Sequence, residues 1–359
     1  MNTNELDAQT KPVLTDDKWK RIGSQKRAGV LVPLFSVYSS NSVGIGDIGD
    51  IKLLVDWCAK TGYSILQLLP MNEVGPIFCP YDSVSSFALD PMYLCLEGVT
   101  EGKESVVSER VASLKKAFPA GKTNVDYRIK DEKLKFLWEI FSSAGAAKPS
   151  GFKKFIDTNA YWLEDFALFS YLKYSHHGKA WWEWEPEYKN RDSAALKKVA
   201  QEHNRELDFQ KWLQWQLYVQ FADIKAYAAG KSVLLKGDLP ILVSRDSADV
   251  WSHPDYFKLD FVAGAPPDMY CAKGQRWGTP TYEWDRIFAD GKAGGTVCVA
   301  VMVGGTVVGV GVRGSSVNTL QLIAARVRIS TYRSRAFGIA VRVRGLIGAI
   351  LPRTRQCRG

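Results

Sequence analysis

A strand–helix–strand pattern near the start of the chain constrains the fold most strongly. Residues 28–35 (AGVLVPLF) and 64–69 (SILQLL) are short apolar runs, which is typical of buried strands. Between them, Asp47 is a suitable helix N-cap and Gly62 a suitable helix stop. The apolar positions of the predicted helix follow the spacing i, i+3, i+4 and i+7: Ile51, Leu54, Val55 and Cys58. This order of elements predicts a βα unit in a parallel sheet.

A predicted third strand, Ser232–Asp238, is separated from the second by a long helical block. Residues 100–230 carry apolar stripes at helical spacing, and such residues usually pack in the hydrophobic core. The stripe positions are Trp162, Phe166 and Phe169, then Phe209, Leu213, Leu217, Phe221, Ile224 and Ala228, with Gly230 as the stop. The block is too long for one crossover helix, so we predict an inserted helical subdomain. Its tryptophans 181, 182 and 184 are interpreted as packing residues, with a sugar platform as the alternative.

Charge divides the chain into two unequal parts. Residues 292–359 contain one Lys, ten Arg and no acidic residue, so residues 1–291 hold 36 basic and 38 acidic residues. The net charge of +9 therefore belongs to the tail and does not predict a nucleic-acid-binding enzyme. The six cysteines form no CxxC pair, which gives no support for a metal site. The first residues, MNTNELDAQT, lack the features of a signal peptide, so we expect a cytoplasmic protein.

Residues 262–280 (VAGAPPDMYCAKGQRWGTP) have the composition of a binding loop. Three glycines and three prolines interrupt helical and strand periodicity. Among them lie a carboxylate, an amide, a guanidinium and two aromatic rings: Asp268, Gln275, Arg276, Tyr270 and Trp277. Aromatic faces stack on sugar rings and polar groups bind sugar hydroxyls. The alternative is a surface loop held by a buried Trp.

Several segments in order resemble the amylomaltase, or 4-α-glucanotransferase, family. The pattern GDLPI, DSADVW, VAG-x-PPD and GQ-x-WG is found at Gly237–Ile241, Asp246–Trp251, Val262–Tyr270 and Gly274–Trp284, with Thr279 where the family usually has Asn. Residues 80–88 resemble the family's SPY-x-x-x-S-x-x-A segment, with Cys79 in place of its Ser, and residues 44–50 (GIGDIGD) are also similar.

The resemblance implies a (β/α)8 TIM barrel with a helical insertion, in which loops at the carboxyl ends of strands build the site. Only three barrel strands are identifiable, so we expect a truncated barrel. We predict an arm at 1–27, a partial catalytic barrel at 28–99 and 231–290, the insertion at 100–230 and an atypical tail at 291–359. The candidate substrate-binding residues are Tyr81, Ser83, Ser85, Asp268, Tyr270, Gln275 and Trp277.

The implied activity is transfer of an α-1,4-glucan segment to an acceptor sugar with retention of configuration. It needs no cofactor or metal, and its partners are a glucan or maltooligosaccharide donor and a sugar acceptor. Retention needs two carboxyl groups about 5–5.5 Å apart. In the family the nucleophile is the Asp of a RIDHFRG-like motif beyond Trp284, and the acid/base Glu comes later still, but Asp290 is the last acidic residue here. Asp238, Asp246 and Asp249 are weaker candidates, because Asp246 is typical of a turn and Asp249 of a helix cap. We therefore expect no catalytic residue and an inactive chain, with a non-catalytic glucan-binding protein as the alternative.

The tail beyond residue 292 does not resemble the family, and we interpret it as a shifted or fused reading of the gene. Two alternatives stay open. The uncharged run 293–312 is long enough to span a bilayer, and the arginines could form a nucleic-acid-binding arm. The polar and flexible residues of this run argue against a membrane span. The arginines are dispersed among Val and Ile, which argues against a nucleic-acid-binding arm.

Overall fold

The computed structural model describes residues 22, 25–99, 104–143, 151–289, 299–303 and 306–310. All of them fall within one compact unit, Met1–Arg313. A second unit, Gly314–Gly359, lies outside the described residues.

A parallel sheet of three strands has the order β1 (Gly29–Val32), β2 (Ile65–Leu68) and β3 (Leu234–Lys236). Val30 pairs with Leu66, and Leu66 pairs with Leu235. The predicted parallel pairing is confirmed. The prediction that the first strand is buried is wrong, because β1 has only β2 beside it among the described residues and Leu31 is 50% exposed.

Helix α1 (Ile48–Thr61) joins β1 to β2 as predicted. Asp47 is its N-cap, and the Asp50 side chain accepts from the Asp47 backbone N–H in a capping box. Gly62 ends the helix in the left-handed region, at φ 81°, where a Cβ is unfavourable. Ile51, Val55 and Cys58 are fully buried in one core cluster with Leu66 of β2, whereas Leu54 is half-buried.

The insertion between β2 and β3 is helical, as the stripes predict. Its helices are α2 (Glu104–Ala117), α3 (Arg128–Ser143), α4 (Phe152–Ser175), α5 (Pro186–Lys189), α6 (Ser193–Glu202) and α7 (Asn204–Gly230). Every predicted stripe residue on α4 and α7 is buried, and α7 ends at Gly230.

Helix α7 holds the segment after β2 through two glutamines that behave like strand partners. Gln214 accepts from the Leu89 N–H and donates to the Leu89 carbonyl, both at 2.9 Å. Six residues later, Gln220 accepts from the Cys95 N–H at 3.0 Å and donates to its carbonyl at 2.9 Å. Backbone groups that no sheet satisfies are therefore satisfied by buried amides.

The part after β3 contains helix α8 (Ala248–Ser252), strands β4 (Phe257–Ala265) and β5 (Gln275–Tyr282) and helix α9 (Trp284–Ala289). β4 and β5 form an antiparallel hairpin with two register shifts. The prediction of a continuous loop over 262–280 is therefore wrong, since the loop covers only residues 266–274. The bulged register accommodates the glycines and prolines within the strands.

Most of the predicted tail lies outside the described residues. Strands β6 (Val299–Val303) and β7 (Thr306–Val310) pair as an antiparallel hairpin. Within the described part of the chain, no helix is long and apolar enough to cross a membrane. The candidate span 293–312 lies partly outside that part.

Candidate functional site

The carboxyl ends of the neighbouring strands β2 and β3 bring Tyr81 and Asp238 together. The Tyr81 hydroxyl, in the loop after β2, donates to Asp238 Oδ2 at 2.8 Å. The Leu239 N–H donates to Asp238 Oδ1 at 2.9 Å and fixes the carboxylate. Burial first, and then the Asp238 carboxylate, raise the pKa of Tyr81 to about 12. The phenol therefore keeps its proton at neutral pH, and Tyr81 is 47% exposed to solvent.

A cleft adjoins Asp238 at this end of the sheet. Its walls are mostly apolar, and Asn72, Ser86 and Asp238 contribute polar groups. The apolar lining comes from the strand ends, the loop after β2 and α7: Leu68, Leu69, Met71, Phe87, Leu89, Tyr218, Phe221, Leu235 and Leu239. A few polar groups above apolar walls is the usual composition of a small-molecule site.

The two predicted serines lie inside the loop that carries Tyr81. Ser85 Oγ accepts from the Phe87 and Ala88 N–H groups at 3.1 and 3.2 Å. Ser83 forms bridges to Val74 and Val243, and its buried hydroxyl has no hydrogen-bond partner among the described residues. In this conformation neither hydroxyl reaches the surface, so a direct ligand contact would require the loop to open.

Of the other four predicted contact residues, Asp268 and Tyr270 lie in the loop of the β4–β5 hairpin, and Gln275 and Trp277 lie at the start of β5. Asp268 Oδ1 accepts from the Tyr270 and Cys271 N–H groups at 2.8 and 2.7 Å, and Gly274 has φ 71°. Tyr270 is 89% exposed and Trp277 is 55% exposed. Trp277 Nε1 donates to Gln275 Oε1 at 3.1 Å. The alternative of a buried Trp anchor is wrong, since both aromatic rings are open to solvent.

The base of the hairpin is attached to the segment that follows Asp238. The Tyr282 hydroxyl donates to the Ile241 carbonyl at 3.0 Å. Burial raises the pKa of this tyrosine well above its ordinary value, so it stays a donor. The sequence contains no signal for the contacts at Asp238 and Ile241 beyond the adjacency of predicted parallel strands.

Asp246 and Asp249 hold loops in place. Asp246 accepts from Lys173 Nζ at 2.5 Å and from the Trp181 N–H at 3.2 Å. Asp249 accepts from the Ser86 N–H at 3.0 Å, and burial raises its pKa. The predicted cap role of Asp249 is wrong, because Ser247 Oγ caps α8 by accepting from the Val250 N–H.

Two further observations bear on the site chemistry. Within the described ranges, no group of three His, Cys, Asp or Glu side chains has an arrangement suited to a metal ion. Thr279, the departure from the family pattern, has a buried hydroxyl without a hydrogen-bond partner among the residues that the structure describes. Such a group lowers stability relative to a satisfied or apolar one.

Comparison with known proteins gives consistent matches over the same region. A 4-alpha-glucanotransferase from Chlamydia pneumoniae is 36% identical over 277 residues, which are 76% of this chain and 52% of that protein. A rice (Oryza sativa subsp. japonica) 4-alpha-glucanotransferase is 35% identical, over 77% of this chain and 30% of its own length. The chain thus spans about half of the first relative and less than a third of the second.

Solved structures agree with this result. Amylomaltase from Streptococcus agalactiae, in complex with acarbose, matches with a TM-score of 0.63 at 27% identity. The match covers 74% of this chain and 55% of that one. The family model described as 4-alpha-glucanotransferase matches residues 32–292, which end close to where the charge pattern of the sequence changes. The chain therefore belongs to the 4-alpha-glucanotransferase family, glycoside hydrolase family 77.

Proposed function

We propose that this chain binds α-1,4-glucans at the carboxyl ends of β2 and β3 as a member of the 4-alpha-glucanotransferase family, and that the 359-residue chain itself does not catalyse the transfer. The observation that carries the proposal is the Tyr81–Asp238 pair beside an apolar cleft. The phenol ring offers a stacking face, and the carboxylate accepts from sugar hydroxyls. Exposed Tyr270 and Trp277 on the hairpin offer further faces. The donor is a glucan or maltooligosaccharide and the acceptor is another sugar.

Residues 28–99 and 231–290 form the partial barrel in this proposal, and 100–230 form the inserted subdomain. The exchange of one glycosidic bond for another is retaining, so it passes through a glucosyl ester on a carboxylate. Transfer exceeds hydrolysis when water is kept from that ester while an acceptor is held nearby. Exposed aromatic loops at Tyr81 and Trp277 are suited to both tasks.

Glucan binding without catalysis by this chain is favoured by one feature. No acidic residue follows Asp290 in the 359-residue sequence, and Asp246 and Asp249 are engaged in structural hydrogen bonds. Binding alone does not lower the barrier to bond cleavage. A transferase and a purely glucan-binding chain share the binding surface and differ only in turnover.

The binding surface is tested by isothermal titration calorimetry with maltotriose and maltoheptaose. We expect saturable binding that Tyr81→Ala and Trp277→Ala each weaken by about tenfold, which corresponds to about 1.4 kcal/mol of lost stacking. Trp57→Ala is the matched control, because Trp57 is 46% exposed on α1 near the opposite, amino-terminal end of β2. Wild-type protein that binds neither sugar would refute the proposal.

A further inference from the structure

Trp182 is held at the surface by two buried neighbours. The turn Trp181–Glu183 is fixed because Trp181 Nε1 donates to the Arg245 carbonyl at 2.9 Å. Trp184 Nε1 donates to the Lys179 carbonyl at 3.1 Å. Trp181 and Trp184 are buried, whereas Trp182 is 37% exposed. The packing interpretation thus holds for two of the three tryptophans, and the third presents its indole to solvent from a rigid turn.

Arg245 lies beside this indole, and Asp82 is linked to Arg245 through the intervening Ser244. The Arg245 guanidinium is 5.0 Å from the centre of the Trp182 ring, within cation–π range. The neighbouring Ser244 hydrogen-bonds to the Asp82 carboxylate. Asp82, which is half-buried, therefore joins the loop after β2 to the loop after β3.

This group is continuous with the Tyr81–Asp238 pair. Ser83 and Val243 form a parallel bridge, and the Ser244 N–H donates to the Ser83 carbonyl at 2.8 Å. Tyr81 precedes that bridge on one loop, and Arg245 follows it on the other. The loop that carries Tyr81 is thus joined by backbone contacts to the loop whose Arg245 packs on Trp182.

We propose that Trp182, Arg245 and Asp82 form a second contact surface for an α-1,4-glucan, which extends the site at Tyr81 toward longer chains. The indole stacks on a pyranose ring, and the guanidinium and carboxylate bind its hydroxyls. Charge does not favour an anionic polymer, because Asp82 follows Tyr81 and Asp246 follows Arg245 in the sequence, so each loop carries a carboxylate. The inference rests on the proposed function for the identity of the polymer.

Calorimetry with two ligand lengths tests this surface. We expect Trp182→Ala to weaken maltoheptaose binding by about five- to tenfold and to leave maltotriose binding unchanged, because only the longer sugar reaches past Tyr81. Trp182→Phe, which keeps an aromatic face, retains most of the affinity. Arg245→Gln changes an exposed side chain without affecting the fold and weakens maltoheptaose binding several-fold. Trp57→Ala, the matched control, changes neither affinity.

The outcomes separate this inference from the proposed function. Unchanged maltoheptaose affinity in both Trp182→Ala and Arg245→Gln, with intact wild-type binding, overturns the second surface and leaves the first standing. Equal losses for maltotriose and maltoheptaose would also overturn it, because the residue would then act on the shared site. Absence of wild-type binding to either sugar overturns both. Circular dichroism melting curves of each variant exclude unfolding as the cause of a loss.

Discussion

Asp47 joins helix capping to a buried charge pair. It caps α1 through the Gly49 N–H at 2.9 Å, and its Oδ2 lies 4.0 Å from Lys133 Nζ of α3. Lys133 is fully buried and donates to the Met92 and Leu94 carbonyls at 2.8 and 3.2 Å. Burial is the largest cause of the pKa shift in both partners. The pKa of Asp47 is raised to about 6, and the pKa of Lys133 is lowered. The pair therefore tethers the insertion to α1 at a cost in desolvation.

We predict that Asp47→Asn changes the pH dependence of stability. A carboxyl whose pKa is higher in the folded protein stabilises it below the unfolded value of 3.8, and this contribution is lost as the pH rises through about 6. Asparagine keeps the cap acceptor but does not titrate. The free energy of unfolding of the variant, relative to wild type, should therefore rise between pH 4 and pH 7 (about the window of the shift) in urea titrations. A flat difference across that range would contradict the raised pKa.

Prediction from sequence succeeded for residues whose partners are local. Asp47 and Gly62 act within one helix, so the cap and the stop follow from residue type alone. Ser83 could not be placed this way, because it bridges Val243, which follows β3 far along the chain. The Tyr81–Asp238 bond spans 157 positions and follows only from the strand order.

The elements differ in how completely their sequence specifies them. Helices α4 and α7 have strong apolar stripes, and these stripes are the core of the insertion. Strands β4 and β5 contain Gly264, Gly278 and Pro280, which break the alternation on which strand prediction depends. Antiparallel pairing overrides that local weakness, and Gly264 is needed because a Cβ there would lie 2.1 Å from the Gln275 carbonyl oxygen.

We predict that Gln214 and Gln220 of α7 contribute strongly to the free energy of unfolding, although their side chains are polar. Gln214→Leu or Gln220→Leu leaves one buried N–H and one buried carbonyl, of Leu89 or Cys95, without their amide partner. Each substitution should lower the free energy of unfolding by about 2–4 kcal/mol, measured by urea unfolding. Gln201→Leu, at an exposed position on α6, is the control and should change it by less than about 0.5 kcal/mol. Equal changes in the free energy of unfolding at all three positions would argue against a special role of the Gln214 and Gln220 hydrogen bonds.

At the scale of the whole molecule, binding and catalysis separate along the chain. The described contact candidates lie between Tyr81 and Trp277, and the match to the family model ends at residue 292. Asp238, Asp246 and Asp249 each bind a different partner: Tyr81, Lys173 and the Ser86 N–H. The family pattern assigns neither the nucleophile nor the acid/base to any of the three, so the proposed glucan-binding site has no defined nucleophile.

We therefore predict that the purified 359-residue chain does not disproportionate maltotriose above background. Loss of a nucleophile alone lowers turnover by several orders of magnitude, and the acid/base is also unassigned. The measurement is release of glucose and of longer maltooligosaccharides, with a complete 4-alpha-glucanotransferase assayed in parallel. Products formed at a rate near that of the complete enzyme would overturn the prediction. The variants Asp238→Asn, Asp246→Asn and Asp249→Asn would then identify the carboxylate responsible, because only loss of the nucleophile abolishes the covalent step.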